Sequence, residues 1–254
     1  MSTTARNPVK AVETTFLILD VLKELDGAGV TELSDHLDIP KSTVHSYLST
    51  LYQEEYVVKE GDKYYVSSRF LDFGIYARNR KRIYDIAKPE VDRLAEETGN
   101  YANLLIEEHG RGVYLLRTDG NRAVKSNTRT GTVVDLHATA LGKAILANFP
   151  ESRVREILDR HGMPSQTPNS ITDRDALFQE LETIRERGYA IDDEEWAEGL
   201  RCVAAPVMEN GNEVIGSISV SGPTSRFRGP EAMDDVADAV LEAANVIELN
   251  MKYS

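Results

Sequence analysis

Residues 31–53 read TELSDHLDIPKSTVHSYLSTLYQ, and their spacing decides how the first part of the chain folds. Leu33 and Leu37 lie four apart, on one face of a short helix. Val44, Leu48 and Leu51 lie at i, i+4 and i+7, on one face of a second helix. Asp38, Ile39 and Pro40 stand between them. Proline disfavours α geometry at Ile39, so the first helix ends there, and Pro40 suits the start of the next. Two short amphipathic helices joined by so tight a turn predict a helix-turn-helix. The second helix is left with a face of Lys41, Ser42, Thr43, His45, Ser46, Tyr47, Ser49 and Thr50, which holds no carboxylate. Hydroxyls and amides at a helix N-terminus suit phosphate oxygens, and side chains on such a face reach base edges in a major groove. The plainer alternative is a helical bundle whose solvated face lacks acids by chance. With 42 acidic residues in the chain, that is the weaker reading.

The flanks fit the same picture. Residues 9–25 place Val12, Phe16, Leu19 and Leu22 at helical spacing, a first helix expected to pack behind the helix-turn-helix. Gly27 and Gly29 end it, and Thr31 is expected to cap the next helix. After residue 55 the period changes to that of strands, at 56–60 and 63–67 around a Gly61-Asp62 turn. A hairpin behind a recognition helix is a wing, with Lys59 and Lys63 beside its tip and placed to meet phosphates. The alternative is a structural hairpin whose lysines keep an edge soluble. Residues 1–68 thus form the expected DNA-binding domain, whose candidate contacts are Thr31, Lys41, Ser42, Thr43, His45, Ser46, Tyr47, Lys59 and Lys63. Residues 69–82 read as a linker helix, with Arg69, Arg78, Arg80, Lys81 and Arg82 against the single acid Asp72. DNA flanks and acidic surface on a second copy are both open as partners of that cluster.

From residue 83 to 254 the pattern is α+β. A helix over 83–98 precedes strands at 101–108 and 111–118 and a third expected at 122–128. The segment HATALGKAILANF then puts Ala140, Ala144 and Ala147 on a close-packing helix face. Helices follow near 151–160 and 173–187, the latter with a capping box expected from Thr172 and Asp175. Strands near 201–208 and 213–221 and a closing helix from Pro230 complete an antiparallel sheet flanked by helices.

The net charge of −13 at first disagrees with DNA binding. The recognition face and the linker are nevertheless spared, and the acid is spread over the remaining surface. Such an excess suits a high-salt cytoplasm, where repulsion is screened within a few ångströms. A halophilic source is therefore expected, with base and shape contacts carrying more of the DNA affinity than counterion release. The single cysteine, Cys202, excludes an internal disulfide framework. There is no apolar run of about 18 residues and no apolar leader, so a cytoplasmic protein is expected, with no membrane partner.

Several motifs, in order, resemble the isocitrate-lyase-regulator (IclR) family of transcription factors. They are KSTVHSYLSTL at 41–51, HATALGKAILA at 137–147, GYAIDDEEWAEGLRCVAAPV at 188–207 and SISVSGPTSRF at 217–227. The first is shared by many repressors, whereas the last three together are specific, and the match covers nearly the whole chain. The resemblance implies a winged helix-turn-helix, a linker helix and a sensor domain similar to the GAF fold. It also implies dimers, often paired into tetramers, on palindromic promoter sites of double-stranded DNA. One departure is Ser46, where the family often has arginine. Arginine reads guanine in bidentate fashion and serine does not discriminate, so the operator cannot be borrowed from relatives.

The resemblance further implies a small-molecule effector, such as an organic, aromatic or sugar acid, bound by Thr139, Ala140, Leu141, Asp192, Cys202, Ser219 and Ser221. The pattern agrees in part. Ser217, Ser219 and Ser221 alternate with Ile218 and Val220, so the hydroxyls share one strand face. A helix starting near Thr139 offers amides to an anion. Arg201 is the only cation that the sequence suggests for the pocket. Asp192-Asp193-Glu194-Glu195 lacks EF-hand spacing and reads as a loop over the pocket, and the five histidines lack zinc spacing, so no metal or cofactor is expected. A redox switch at Cys202 is the weaker alternative. An enzyme acting on a small acid through residues 83–254 is the alternative reading. It would need a nucleophile with its base, or a metal, and no GxSxG, HExxH or phosphate loop is present, so the chain is not expected to be an enzyme.

Overall fold

The computed structural model describes residues 7–123 and 128–253. The chain divides into two compact units, Met1–Ala77 and Arg78–Ser254.

The first unit packs α1 (Lys10–Glu24), α2 (Val30–Leu37) and α3 (Lys41–Gln53) with a hairpin of β1 (Val57–Glu60) and β2 (Lys63–Val66). Val44, Leu48 and Leu51 are the buried residues of α3, as their spacing requires. They meet Leu33 of α2 and Val57 of β1 in one apolar core. α2 stops at Asp38, which turns left-handed with φ 52°. The Ser34 hydroxyl then donates to the Ile39 carbonyl at 2.7 Å, closing the turn.

Two local expectations are corrected here. α1 buries Ile18, Val21 and Leu22, whereas Val12 and Phe16 face outward at 51% and 59% exposure. The short α2 and the hairpin cover only the C-terminal half of α1, so the apolar stripe on its N-terminal half has nothing to pack against in this unit. Thr31 lies inside α2 and does not cap it. Gly29 is the cap residue, and its N–H donates to the Glu32 carboxylate at 2.8 Å. Glu32 is the third helical residue, the position from which a carboxylate reaches back to that amide, and Thr31 is the second.

α4 (Phe70–Asn79) follows the hairpin and buries none of its residues. Arg69, just before it, donates to the Glu54 carbonyl at 2.7 Å and lies 4.8 Å over the Tyr56 ring. Phe70 packs against that same ring at a tilt of 54°, with centroids 5.2 Å apart.

In the second unit six antiparallel strands run in the order β5-β4-β3-β8-β7-β6. They are β3 (Tyr101–Glu108), β4 (Arg111–Asp119), β5 (Val133–Asp135), β6 (Ala190–Asp193), β7 (Leu200–Glu209) and β8 (Glu213–Pro223). α5 (Arg82–Thr98) and α9 (Pro230–Tyr253) cover one face through Val91, Leu94, Val240 and Ile247. α6 (Ala140–Ala147), α7 (Glu151–His161) and α8 (Arg174–Arg187) cover the other. The unit is thus α+β with a curled antiparallel sheet, and the GAF comparison holds only coarsely.

The strand expected at 122–128 falls partly on residues outside those described, and Asn121 and Arg122 form a turn. The edge strand is β5 instead. Asp173, not Thr172, caps α8, accepting from the Ala176 N–H at 2.9 Å. Asp192 and Asp193 belong to the edge strand β6, so the expected loop starts only at Glu194.

Every residue of α6 is buried, and one glycine makes that possible. A Cβ on Gly142 would stand 2.1 Å from the Leu136 carbonyl oxygen, so the helix sits against the preceding turn with no room for a side chain.

Candidate functional site

Two surfaces carry the candidate residues. On α3, Lys41, Ser42, Thr43, His45, Ser46, Ser49 and Thr50 are exposed and Tyr47 is half-buried. The hydroxyls are not loose. Ser46 donates to the Ser42 carbonyl at 3.0 Å and Thr50 to the Ser46 carbonyl at 2.9 Å. Such bonds within a helix exchange readily for bonds to a partner. Strand β1 presents Lys59, whose ammonium stands 5.4 Å from the Tyr64 ring centroid. Lys63 is turned back onto the body, donating to the Gly27 carbonyl at 3.4 Å with Glu32 3.9 Å away. The linker cations are engaged by their own chain as well. Arg78 lies over Tyr84 at 4.2 Å, Lys81 pairs with Glu108 at 2.6 Å and Arg82 donates to the Met251 carbonyl at 2.6 Å.

The second surface is the sheet face under α6. Strand register sets its rows. Asp192, Cys202, Ser221 and Tyr101 are successive cross-strand neighbours, and so are Ala204, Ser219 and Asn103. The Asn103 amide ties the rows together, Nδ2 donating to the hydroxyls of Ser219 and Ser221 at 3.1 and 3.3 Å. The Ser217 hydroxyl donates to the Leu141 carbonyl at 2.9 Å and so joins β8 to α6. Ile218 and Val220 point to the opposite core. Thr139 caps α6, its hydroxyl accepting from the Gly142 N–H at 3.0 Å. Ala140 and Leu141 line the same buried face.

The structure adds three residues to this set. Lys143 is buried, with 1% of its side chain exposed, and is paired with Glu195 at 9%. Asn103 is the third, at 2% exposure. Arg201, the cation suggested by sequence, faces away, bound to Asp193 and to the Phe227 carbonyl. A lone lysine in the apolar run HATALGKAILA was the available signal for Lys143, because a buried ammonium requires a buried carboxylate. Asn103 interrupts the apolar strand YANLLI in the same manner. Glu195 was hidden in an acidic run that resembles a solvated loop.

Residues 167–170 brace that loop. The hydroxyls of Thr167 and Ser170 donate to the Glu194 and Glu195 carbonyls at 2.6 and 2.7 Å. The Asp192 carboxylate accepts from the Glu195 and Trp196 amides at 2.7 and 3.2 Å. Burial nevertheless pushes its acid up to about 7, with the Glu195 carboxylate adding and Lys143 opposing. Burial raises Glu195 too, against the pull of Lys143. The Cys202 thiol is pushed up to about 12, mainly by burial, and stays protonated at neutral pH, which disfavours redox chemistry there. Among the described residues no group of three or more His, Cys, Asp or Glu side chains is arranged to hold a metal ion. No helix among them is long and apolar enough to cross a membrane.

The Asp192 environment makes a pH prediction. In the folded chain its proton is held up to about 7, while unfolded it leaves near the ordinary value of 3.8. The folded state therefore binds more protons between those values, and stability falls as pH rises across them. Asp192→Asn should flatten that part of the pH–stability curve, and chemical denaturation at pH 4.5 and 7.5 measures it. Equal pH slopes for both chains would count against the assignment.

Residues 11–61 match the IclR helix-turn-helix domain, and residues 76–249 match the domain described as bacterial transcriptional regulator IclR C-terminal. The chain is 35% identical over 239 residues to the probable HTH-type transcriptional regulator ArcR of Halobacterium salinarum, covering 92% of this chain and 91% of that one. It is 34% identical over 250 residues to the HTH-type transcriptional regulator KdgR of Escherichia coli, covering 96% and 94%. Among solved structures, the IclR protein of Thermotoga maritima superposes with a TM-score of 0.78 at 30% identity, covering 95% of this chain and 98% of that one. An IclR homologue from Microbacterium hydrocarbonoxydans, solved with 4-hydroxybenzoate, shares the fold at TM-score 0.77 and 21% identity, covering 94% and 100%.

Proposed function

The chain belongs to the IclR family of transcriptional regulators, and from that membership we propose how its two surfaces work. α3 enters the major groove of a palindromic site and reads it with Lys41, Ser42, Thr43, His45, Ser46 and Tyr47. Lys59 meets phosphate from the wing. Lys63 is half-exposed beside it and contributes after leaving Glu32. Thr31, exposed in α2, completes the contact set. The buried polar rows of Asp192, Cys202, Ser219 and Ser221, under the start of α6 at Thr139, Ala140 and Leu141, hold a small effector. The observation that carries this reading is the placement of buried hydroxyls and carboxyls on the α6 side of the sheet, where the same strands turn Ile218, Val220, Val203 and Ala205 to the other side. Polar groups kept inside a core at such cost are expected at a binding site. The relatives are regulators, which favours a binding role over turnover.

Effector binding shifts the population of assemblies that fit the operator. The protein acts in the cytoplasm, at its own promoters, and at high salt; the acidic surface and the Halobacterium relative support the last point. Capture of genomic DNA by the full chain at molar salt tests the function. Enrichment of a few promoter regions sharing an inverted repeat is expected. Uniform recovery of DNA, with and without metabolite extract, would overturn it.

Self-association is part of the same reading. α1 leaves Val12, Phe16 and Leu17 half or more exposed, and α4 leaves Leu71 and Tyr76 at 64% and 68%. Apolar residues in such numbers on two helices mark a contact face, and we assign it to a second copy in a dimer that pairs further into tetramers. Phe16→Ser with Leu71→Ser should shift sedimentation toward monomer and weaken operator binding at least tenfold. An unchanged dimer would place the interface elsewhere.

A further inference from the structure

The buried cluster under α6 has unmet hydrogen-bonding capacity of one kind. Asn103 Oδ1 and Glu195 Oε2 are buried and have no hydrogen-bond partner among the described residues. Both are acceptors. The rest of each group is already committed, the Asn103 nitrogen to Ser219 and Ser221 and Glu195 Oε1 to Lys143. Nearby cations are committed too. Lys143 is paired with Glu195, Arg201 with Asp193, and Arg117 lies 3.5 Å over the Tyr101 ring. Buried acceptors without donors are disfavoured, so whatever completes this cluster must bring donors.

Placement adds a length. Asn103 stands on β3, and Glu195 follows β6, three strands away in the sheet. Three strand spacings put the backbones roughly 14 Å apart, and both side chains reach inward to shorten the gap. A keto acid offers acceptors only. An aromatic acid with one hydroxyl offers a donor at one end. An extended chain bearing hydroxyls along its length offers donors at both.

Resting on the reading of this cluster as the effector site, we propose that the effector is an extended polyhydroxylated molecule of sugar or sugar-acid size, whose hydroxyls donate to Asn103 Oδ1 at one end and Glu195 Oε2 at the other. Ser219, Ser221 and Asp192 lie along the strand rows that run between those ends.

Calorimetric titration of the full chain at molar salt tests this with gluconate, sorbitol, pyruvate and 4-hydroxybenzoate. Gluconate or sorbitol is expected to bind, and pyruvate and 4-hydroxybenzoate are not. Glu195→Gln and Asn103→Ala should each weaken the hydroxylated ligand about tenfold or more, the loss expected for one hydrogen bond to a buried acceptor. If Glu195→Gln fails to fold, Asn103→Ala carries the test alone. Binding of pyruvate or 4-hydroxybenzoate that Asn103→Ala weakens, with no binding of the polyols, overturns the ligand class and keeps the effector site. Binding of a polyol unchanged in both variants overturns the site as well. No binding of any of the four to a chain that still holds its promoter DNA overturns the ligand class.

Discussion

Lys143→Met is expected to destabilise the Arg78–Ser254 unit by about 3–5 kcal/mol, because it leaves the Glu195 carboxylate buried without its counter-charge. The pair sits at the join between α6 and the loop after β6, with almost no solvent to screen it. Removing both charges together is a different experiment. In Lys143→Met with Glu195→Leu the desolvation cost goes with the attraction, and the double variant should recover most of the loss. The single variant should also regain stability on acidification. Burial already raises the Glu195 acid while Lys143 pulls it down. Without the lysine it rises further, so the folded state holds a proton that the unfolded chain releases, and stability declines as pH climbs. Urea denaturation of the three variants at pH 5 and pH 8 reads each point. A single variant as stable as the parent at both pH values would show that the pair contributes nothing.

Ser46→Glu should lower operator affinity at least a hundredfold without moving the melting temperature. Ser46 is exposed, and its hydroxyl bonds only within α3, so the folded unit tolerates the change. The cost arises at the DNA, where a carboxylate enters a face that has none and meets phosphate and base-edge acceptors. Ser46→Arg should act in the opposite sense, raising affinity and favouring guanine at one half-site position. Fluorescence anisotropy on the captured promoter at fixed salt measures both. Equal affinity of parent and Ser46→Glu would remove α3 from the groove.

Periodicity makes the helices and most strands legible in the sequence. Val44, Leu48 and Leu51 were fixed by their spacing alone, because one helix face must be buried. The misses were of two kinds. Caps and helix starts shifted by a residue or two, at Gly29 and Asp173, because several nearby side chains compete for the same amides. The outward Val12 and Phe16 kept helical spacing without a partner in their own unit, and amphipathicity does not say which neighbour covers a stripe. In the candidate site, the serine face followed from alternation along β8. Lys143 and Glu195 are 52 residues apart, and no local pattern joins them. Only the fold does.

The sheet is asymmetric in what it asks of its two coverings. The α5 and α9 side is packed mainly by aliphatic and aromatic residues, with hydrogen bonds from Thr118 to Asp92 and from the Met208 N–H to Glu248. The α6 side mixes apolar contacts with an ion pair, a protonatable acid and incompletely bonded oxygens. The Ser217 bond to Leu141 ties β8 to α6, and β8 also packs against α9, so one strand joins the two coverings. The molecule thus keeps its buried ionisable groups on one face of the sheet and most of its aliphatic packing on the other.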